Sequence, residues 1–238
     1  MIYALSKDNK RLYAKNSGEK ATCQFCKSNL ISTKTNSNIY YWHHNFGYKN
    51  CDSWYKPITE WRHEWLTLFP ESWQEVIIRK NGTNHISDIK LPNKVILKFQ
   101  DSETTIKLLK EQEEFFEDLI WIFNCEVLGI FDIKIITKKV LEQSPYLQVN
   151  PFTRIKTKNL WSLKKLLLNH RKPLFLDLNH KILFIKNIIH DTGNLNIVNE
   201  KFNFIKVYSE KEVYANIILE TKILSKEAFL NKYYYSKL

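Results

Sequence analysis

The chain has 238 residues, of which 44% are hydrophobic and 14% aromatic, and this composition is sufficient for a buried core. Its 36 lysine and arginine residues outnumber 25 aspartate and glutamate residues, and the net charge of +11 favours a polyanionic partner such as DNA or RNA. No apolar run approaches the roughly 20 residues of a membrane span, and the N-terminus lacks a signal-peptide pattern, so we expect a cytoplasmic protein without membrane contact. The lysines are scattered, so an incidental compositional bias is the alternative interpretation.

The N-terminal segment predicts a short strand followed by a zinc-ribbon-like unit. Cys23 and Cys26 form a Cys-x-x-Cys pair that can present two thiolates to one metal ion, and Cys51 follows later. The spacing leaves both His43 and His44 open as a fourth ligand, and we predict His44. A Cys₃His set of this kind holds structural zinc. The alternatives are a thiol pair without metal or a redox motif, although a redox pair usually begins a helix in a βαβ unit.

A helix is predicted next, with Thr59 as its N-cap. Trp61 and Trp65 lie one turn apart on a single aromatic face, which we interpret as core packing. Arg62 and His63 lie off that face, where they could contact a polyanion or water. This helix begins the central part of the chain.

The central part predicts the order strand, turn, strand, helix, strand. Residues 85–90 and 94–99 are rich in β-branched and aromatic side chains and flank a Pro-Asn turn, which indicates a hairpin. Apolar residues then recur at helical spacing over 106–119, before an apolar strand over 119–124. We therefore predict an α/β core in which a helical crossover connects the hairpin to the last strand.

Three polar side chains of this core are predicted to converge. Asp88 lies on the first predicted strand of the hairpin, and Lys98 and Gln100 lie on the second. Since side chains alternate along a strand, Lys98 and Gln100 face the same side of the sheet.

The remainder of the chain predicts a small C-terminal α/β lobe. An amphipathic helix is expected over 159–170, a hairpin over 173–186 and a final helix from Ser225. Cys125, which follows the apolar strand, is predicted to be a buried free thiol.

Several short motifs within roughly residues 20–125 occur together: Cys-x-x-Cys, Trp-His-His, Cys-Asp-Ser-Trp, Glu-Trp-x-x-Glu-Trp, Ile-Ser-Asp-Ile and Phe-Gln-Asp-Ser. In this combination the chain resembles the competence protein CoiA-like family. The resemblance implies a zinc-ribbon-like segment coupled to a PD-(D/E)XK nuclease-like α/β core. The domains expected from it are 1–56 for the strand and zinc-ribbon-like segment, 57–140 for the nuclease-like core and 141–238 for the C-terminal lobe.

The resemblance also assigns catalytic positions. Asp88 matches the family's metal-binding aspartate, and Gln100 matches the glutamine of its Glu-x-Gln triplet, whereas Lys98 stands where the family has glutamate. The flanking helices also lose polar residues of the family pattern, at Ile58, Arg62, Leu66, Gln112 and Phe116. Because metal-assisted hydrolysis needs carboxylates to hold Mg²⁺ or Mn²⁺, these substitutions predict an impaired catalytic site.

Three functional hypotheses follow. The first is a nucleic-acid-binding protein with a nuclease-type fold that is catalytically impaired or inactive, in DNA uptake or genome defence, with Arg62, His63 and Lys90 as candidate contacts. The second is an active DNA nuclease that uses Mg²⁺ or Mn²⁺, in which Asp101, Glu103 or Glu60 replaces the missing acid. The third is a zinc-containing scaffold for a protein partner.

Overall fold

The computed structural model describes residues 1–44, 51–126, 129–136, 152–157, 166, 169–178, 181–190, 205–208 and 213–232. The chain divides into two compact units, Met1–Lys98 and Phe99–Leu238. It is a mixed α/β protein with many strands and a few short helices, which confirms the predicted class at this coarse level. None of the helices in the described residues is long and apolar enough to cross a membrane.

The first unit begins with a five-stranded antiparallel sheet. Its strands are β1 (Tyr3–Leu5), β2 (Arg11–Tyr13), β3 (Lys20–Thr22), β4 (Asn29–Lys34) and β5 (Tyr40–His44), in the spatial order β2-β1-β3-β4-β5. The turns between them include Asn9, Lys27 and Asn38 with φ values of 58, 64 and 60°, a backbone conformation that tight turns need. The sheet packs on a core that includes Leu30, Trp42 and the Cys23 side chain.

The predicted helix and hairpins follow in the same unit. Helix α1 spans Glu60–Thr67, and the Thr59 hydroxyl accepts a hydrogen bond from the Arg62 amide, which confirms the predicted N-cap. A 3₁₀ turn at Glu71–Trp73 precedes β6 (Ile77–Lys80), β7 (Thr83–Ile86), β8 (Ile89–Lys90) and β9 (Ile96–Gln100). Asn81 and Gly82 join β6 to β7 with positive φ values of 50 and 76°, as the favoured two-residue hairpin turn requires.

The hairpin that carries Asp88 differs from its prediction. Residues 85–90 do not form one strand, because the chain bends at Asp88, between β7 and β8. The amide of Ser87 donates to the Val76 carbonyl, and the amide of Glu75 donates to the Asp88 carbonyl. The backbone at this bend is therefore hydrogen-bonded to the segment that precedes β6. Asp88 therefore occupies a bend, and only Lys98 and Gln100 lie within a strand.

The second unit contains α2 (Ile106–Phe115), β10 (Leu119–Asn124), β11 (Ile130–Ile136), β12 (Phe152–Thr157), β13 (Leu174–Asp177), β14 (Lys181–His190), β15 (Ile205–Tyr208), β16 (Val213–Ser225) and α3 (Lys226–Leu230). Its strands follow the order β11-β12-β16-β14-β13-β10, and β15 pairs with β16. The β10–β13 pair is parallel, whereas β13 and β14 form the predicted antiparallel hairpin. Trp121, Phe123 and Phe175 are buried at the centre of this unit.

The predicted domain boundaries do not coincide with the two compact units. The division after Lys98 falls inside the predicted core of 57–140, and the β10–β13 pairing joins strands on either side of residue 141. The helix predicted over 159–170 lies largely outside the described residues. The predicted C-terminal helix begins as expected after Ser225, whose hydroxyl accepts from the Ala228 amide.

Candidate functional site

One tight turn and one strand end of the N-terminal sheet bring its cysteine and histidine residues together. The Cys23–Cys26 turn follows β3, with the Lys27 amide donating to the Cys23 carbonyl and the Cys23 amide donating to Ser28. His44 ends β5 and stands opposite Leu30 of β4. The strand pairing β3-β4-β5 therefore places a histidine from the last strand beside the turn that carries the cysteine pair.

Cys23, Cys26, His44 and Cys51 form one cluster whose ligand atoms all lie within 4.8 Å of one another. The Sγ atoms of Cys23 and Cys51 are 3.8 Å apart, and Cys26 Sγ is 3.2 Å from His44 Nε2. Two Zn–S bonds of about 2.3 Å at a tetrahedral angle separate the sulfur atoms by about 3.8 Å. The predicted set, with His44, is therefore assembled in a geometry that could hold a metal such as zinc.

The histidine next to the cluster has another partner. His43 points its Nδ1 at the carbonyl oxygen of His44, 3.0 Å away. Adjacent residues in a strand direct their side chains to opposite faces, so only one of the pair can face the cysteines. The alternation along β5 therefore selects His44, a choice that sequence spacing alone leaves open.

The environment of Cys23 favours a thiolate. Its hydrogen bond with the Cys51 thiol, supported by the amides of Cys26 and Phe25, lowers the pKa of Cys23 to about 4, while the same shared proton raises the pKa of Cys51. Those amide nitrogens lie 3.4 Å (Phe25) and 3.5 Å (Cys26) from Cys23 Sγ. Amide groups that point at sulfur stabilise negative charge, and charge on sulfur is what a metal ligand needs.

Asp52 ties the Cys51 loop to the hairpin of β6 and β7. Its side chain is fully buried and accepts hydrogen bonds from the Ile86 amide at 2.6 Å, His85 Nδ1 at 2.8 Å and the Trp54 amide at 2.9 Å. The ring of Trp54 stacks on His85 with centroids 3.3 Å apart. Sequence reasoning missed this role, and the only local signal was a carboxylate directly after a cysteine ligand.

We expect Asp52→Ala to destabilise the first unit by roughly 2–3 kcal/mol, because it leaves the buried Ile86 amide and His85 without their acceptor. Urea unfolding followed by tryptophan fluorescence measures this change. The matched control is Ser53→Ala at the exposed neighbouring residue, which should alter the unfolding free energy by no more than about 0.5 kcal/mol. Equal stability of the two variants would contradict the anchoring role.

Asp88 and Lys98, two of the predicted catalytic positions, form a buried ion pair. Lys98 Nζ lies 3.4 Å from the Asp88 carboxylate and donates to the Ile86 carbonyl at 3.3 Å. The side chains are only 3% exposed for Asp88 and 5% for Lys98. The third position, Gln100, belongs to the second unit, and its amide nitrogen donates to Ser102. The ammonium group of Lys98 therefore lies next to the carboxylate that is predicted to bind a metal ion.

Glu75 carries a further buried carboxylate, besides those of Asp52 and Asp88. It accepts hydrogen bonds from the amides of Ile2 and Tyr3 and, at 2.7 Å, from the Tyr55 hydroxyl. Burial raises the pKa of Tyr55 well above its ordinary value, and the charge of Glu75 adds to the effect. Glu75 also has a positive φ of 46°, a conformation that its hydrogen bonds hold in place. No pattern in the sequence marks this residue.

The three predicted nucleic-acid contacts differ in exposure. Arg62 is 3% exposed and donates to the Lys56 carbonyl, so it offers little surface to a polyanion. His63 is half-buried beside the Tyr13 hydroxyl, and burial lowers its pKa, so it is largely neutral at pH 7. Lys90 is half-buried in β8. Their role in binding stays a prediction, and the geometry gives Arg62 the least support.

No family model matches the chain, and comparison with the curated proteins and with the solved structures likewise gives no match. The resemblance to the CoiA-like family therefore stays a prediction from the quoted motifs. The candidate metal cluster and the buried Asp88–Lys98 pair both lie in the first unit, and both bear on function.

Proposed function

We propose that the protein binds nucleic acid through a nuclease-type framework that no longer hydrolyses it. The observation that carries this proposal is the buried ion pair between Asp88 and Lys98. The order of elements supports the framework: α1 is followed by the β6–β9 hairpins, then α2 and β10. The net charge of +11 supports an anionic partner.

The ion pair opposes cation binding for an electrostatic reason. The attraction between an ammonium group and a carboxylate about 4 Å apart is roughly 4 kcal/mol at an effective dielectric constant of 20. An incoming Mg²⁺ would have to displace the ammonium group against this attraction. Mg²⁺ also needs several oxygen ligands at close range. Among the described residues, the cysteine–histidine cluster is the only group of three or more side chains placed to bind one metal ion, and it does not include Asp88.

In the alternative hypothesis, another acid replaces the glutamate that is missing at position 98. Glu60 is the one of these candidate acids that lies in the first unit with Asp88. Glu60 is exposed at the start of α1, and its carboxylate accepts a hydrogen bond from the Ser37 hydroxyl at 2.9 Å. The structure therefore gives the Glu60 carboxylate a hydroxyl partner from the turn before β5. An active DNA nuclease dependent on Mg²⁺ or Mn²⁺ stays the second candidate, to be decided by the assay below.

Zinc in the Cys₃His cluster would have a structural role in this proposal. Four protein ligands complete a tetrahedron and leave no position for a reacting water molecule. Cys23, Cys26, His44 and Cys51 would hold the ion between the turn after β3, the end of β5 and the loop that carries Asp52.

We expect the protein to bind DNA with an affinity that falls steeply with salt, because each neutralised phosphate releases counterions. The same preparation should show no cleavage with Mg²⁺ or Mn²⁺. Fluorescence anisotropy with labelled duplex and single-stranded DNA measures binding, and supercoiled plasmid nicking measures cleavage. Absence of binding at low ionic strength would instead favour the protein-interaction scaffold, and nicking that Asp88→Ala abolishes would establish the active nuclease.

A further inference from the structure

The N-terminal sheet carries a cavity of about 600 Å³ beside β2. This volume is within the range of about 300–1,000 Å³ that is usual for sites that bind small molecules. Its lining combines three cations, one acid and two aromatic rings: Arg11, Lys15, Lys20, Glu19, Tyr13 and Trp42. None of these residues belongs to the metal cluster or to the Asp88–Lys98 pair.

The two lysines of the cavity are available to a ligand. Lys15 and Lys20 are both exposed, and neither forms an ion pair with another side chain in the part of the chain that the structure describes. The single acid, Glu19, is already engaged, because its carboxylate accepts from the Lys15 amide at 3.0 Å and from Asn16 Nδ2 at 3.2 Å. The cavity therefore has an excess of positive charge.

Arg11 adds a fixed positive charge at one side. Its guanidinium donates to the carbonyls of Glu71 and Gln74, both at 2.8 Å, and lies 4.0 Å above the ring of Tyr3. Both hydrogen-bond acceptors are neutral carbonyl groups, so these bonds orient the guanidinium without cancelling its charge. The group is held in place before any ligand arrives.

Trp42 forms a buried part of the cavity wall. It lines the cavity and is 1% exposed, and its indole Nε1 has no hydrogen-bond acceptor among the residues that the structure describes. Buried polar groups in native proteins nearly always have a partner, so this buried N–H is unusual.

We propose that this cavity binds one nucleotide unit of a single-stranded nucleic acid. The phosphate would lie between Lys15 and Lys20, and the base would stack on the half-buried ring of Tyr13, since every base presents a π-face to an aromatic side chain. The inference rests on the proposed function and makes it specific, because it names the strand type and the residues that bind it.

The test measures the anisotropy of labelled oligothymidylate of about twelve nucleotides, a length in the range of single-strand sites. Lys15→Ala/Lys20→Ala should weaken binding roughly tenfold at low salt and reduce the slope of log affinity against log salt by about 0.7, because one phosphate is no longer neutralised. The control, Lys7→Ala/Lys34→Ala, removes the same charge from exposed positions outside the cavity and should change affinity less than about twofold.

The aromatic component is tested separately. Tyr13→Leu should weaken oligothymidylate binding by about tenfold, whereas Tyr13→Phe, which keeps the ring, should retain most of the affinity. Thymidine monophosphate added as a competitor distinguishes a strand site from a site for free nucleotide: the proposal requires the oligonucleotide to bind far more tightly. Tight, lysine-dependent binding of the monophosphate alone would overturn the single-strand assignment.

Equal effects of the two double-lysine variants would overturn the cavity as the site while leaving nucleic-acid binding intact. If the unaltered protein binds duplex DNA but does not bind oligothymidylate, this inference is overturned and the proposed function stands. Failure to bind either would overturn the proposed function with it.

Discussion

Replacing Cys23 with serine is expected to abolish zinc binding and to unfold the N-terminal sheet. Cys23 is fully buried, and its sulfur lies 3.8 Å from that of Cys51. Structural zinc contributes about 10–16 kcal/mol of apparent binding free energy in small metal-dependent folds, which is comparable to or larger than the 5–15 kcal/mol that stabilises a whole domain. A sheet in which three of the five strands have only three residues each has little other core to compensate.

Metal analysis and thermal unfolding followed by circular dichroism check this expectation. The unaltered protein should carry about one equivalent of zinc, and Cys23→Ser should carry none and lose its cooperative transition for the first unit. The matched control is Cys125→Ser, which makes the same chemical change at a buried free thiol in the second unit and should keep the zinc. Full zinc content in Cys23→Ser would contradict the assignment.

The adjacent histidines provide a finer control. His44→Ala should lose zinc, whereas His43→Ala should retain it, because only His44 Nε2 faces the cysteines. Both changes remove one imidazole from the same strand, so a difference in metal content isolates ligation from strand propensity. If His43→Ala alone lost the metal, the alternation along β5 would have been misassigned.

The local features of the fold could be predicted because each has a short-range cause. The Cys-x-x-Cys pair and the Thr59 N-cap both depend on residues within a few positions of one another, and the structure brings the cysteines together and confirms the N-cap. The β13–β14 hairpin could be predicted for the same reason. Propensity and side-chain period act over such distances, so sequence patterns express them.

The interior polar contacts could not be predicted, because their partners are far apart in sequence. Asp52 meets Ile86, and Glu75 meets Ile2, only after the chain has folded. Arg62 lies off the aromatic face of α1, a position that predicts exposure, yet it is buried. Alternation along a strand suggested that Lys98 faces Asp88, but not that both would be withdrawn from solvent as an ion pair.

The contact between Asp88 and Lys98 yields the other large expected effect. Lys98→Ala should destabilise the first unit by about 3–5 kcal/mol, because it removes a cation from the buried Asp88 carboxylate and breaks the ion pair. The double variant Asp88→Leu/Lys98→Met should recover most of that loss, since an apolar pair of similar volume has no charges to desolvate. Urea unfolding of the single and double variants measures both values.

An exposed ion pair serves as the control for this experiment. Lys107 lies 3.9 Å from Glu111 on α2, with side chains 86% and 45% exposed, and Lys107→Ala should cost less than about 1 kcal/mol. A Lys98→Ala cost as small as that of Lys107→Ala would show that the Asp88 pair is hydrated in solution and could yield to a cation.

Lys98→Glu connects this stability argument to the proposed loss of hydrolysis. The substitution places a second carboxylate beside Asp88 and removes the competing ammonium, so the variant should be strongly destabilised in a chelator and partly restored by Mn²⁺. The unaltered protein should show no such dependence on Mn²⁺, because Lys98 already neutralises Asp88. Thermal unfolding with and without Mn²⁺ measures the difference. Equal stabilisation of both proteins by Mn²⁺ would show that Lys98 does not block the position, and the impaired-nuclease proposal would lose its main support.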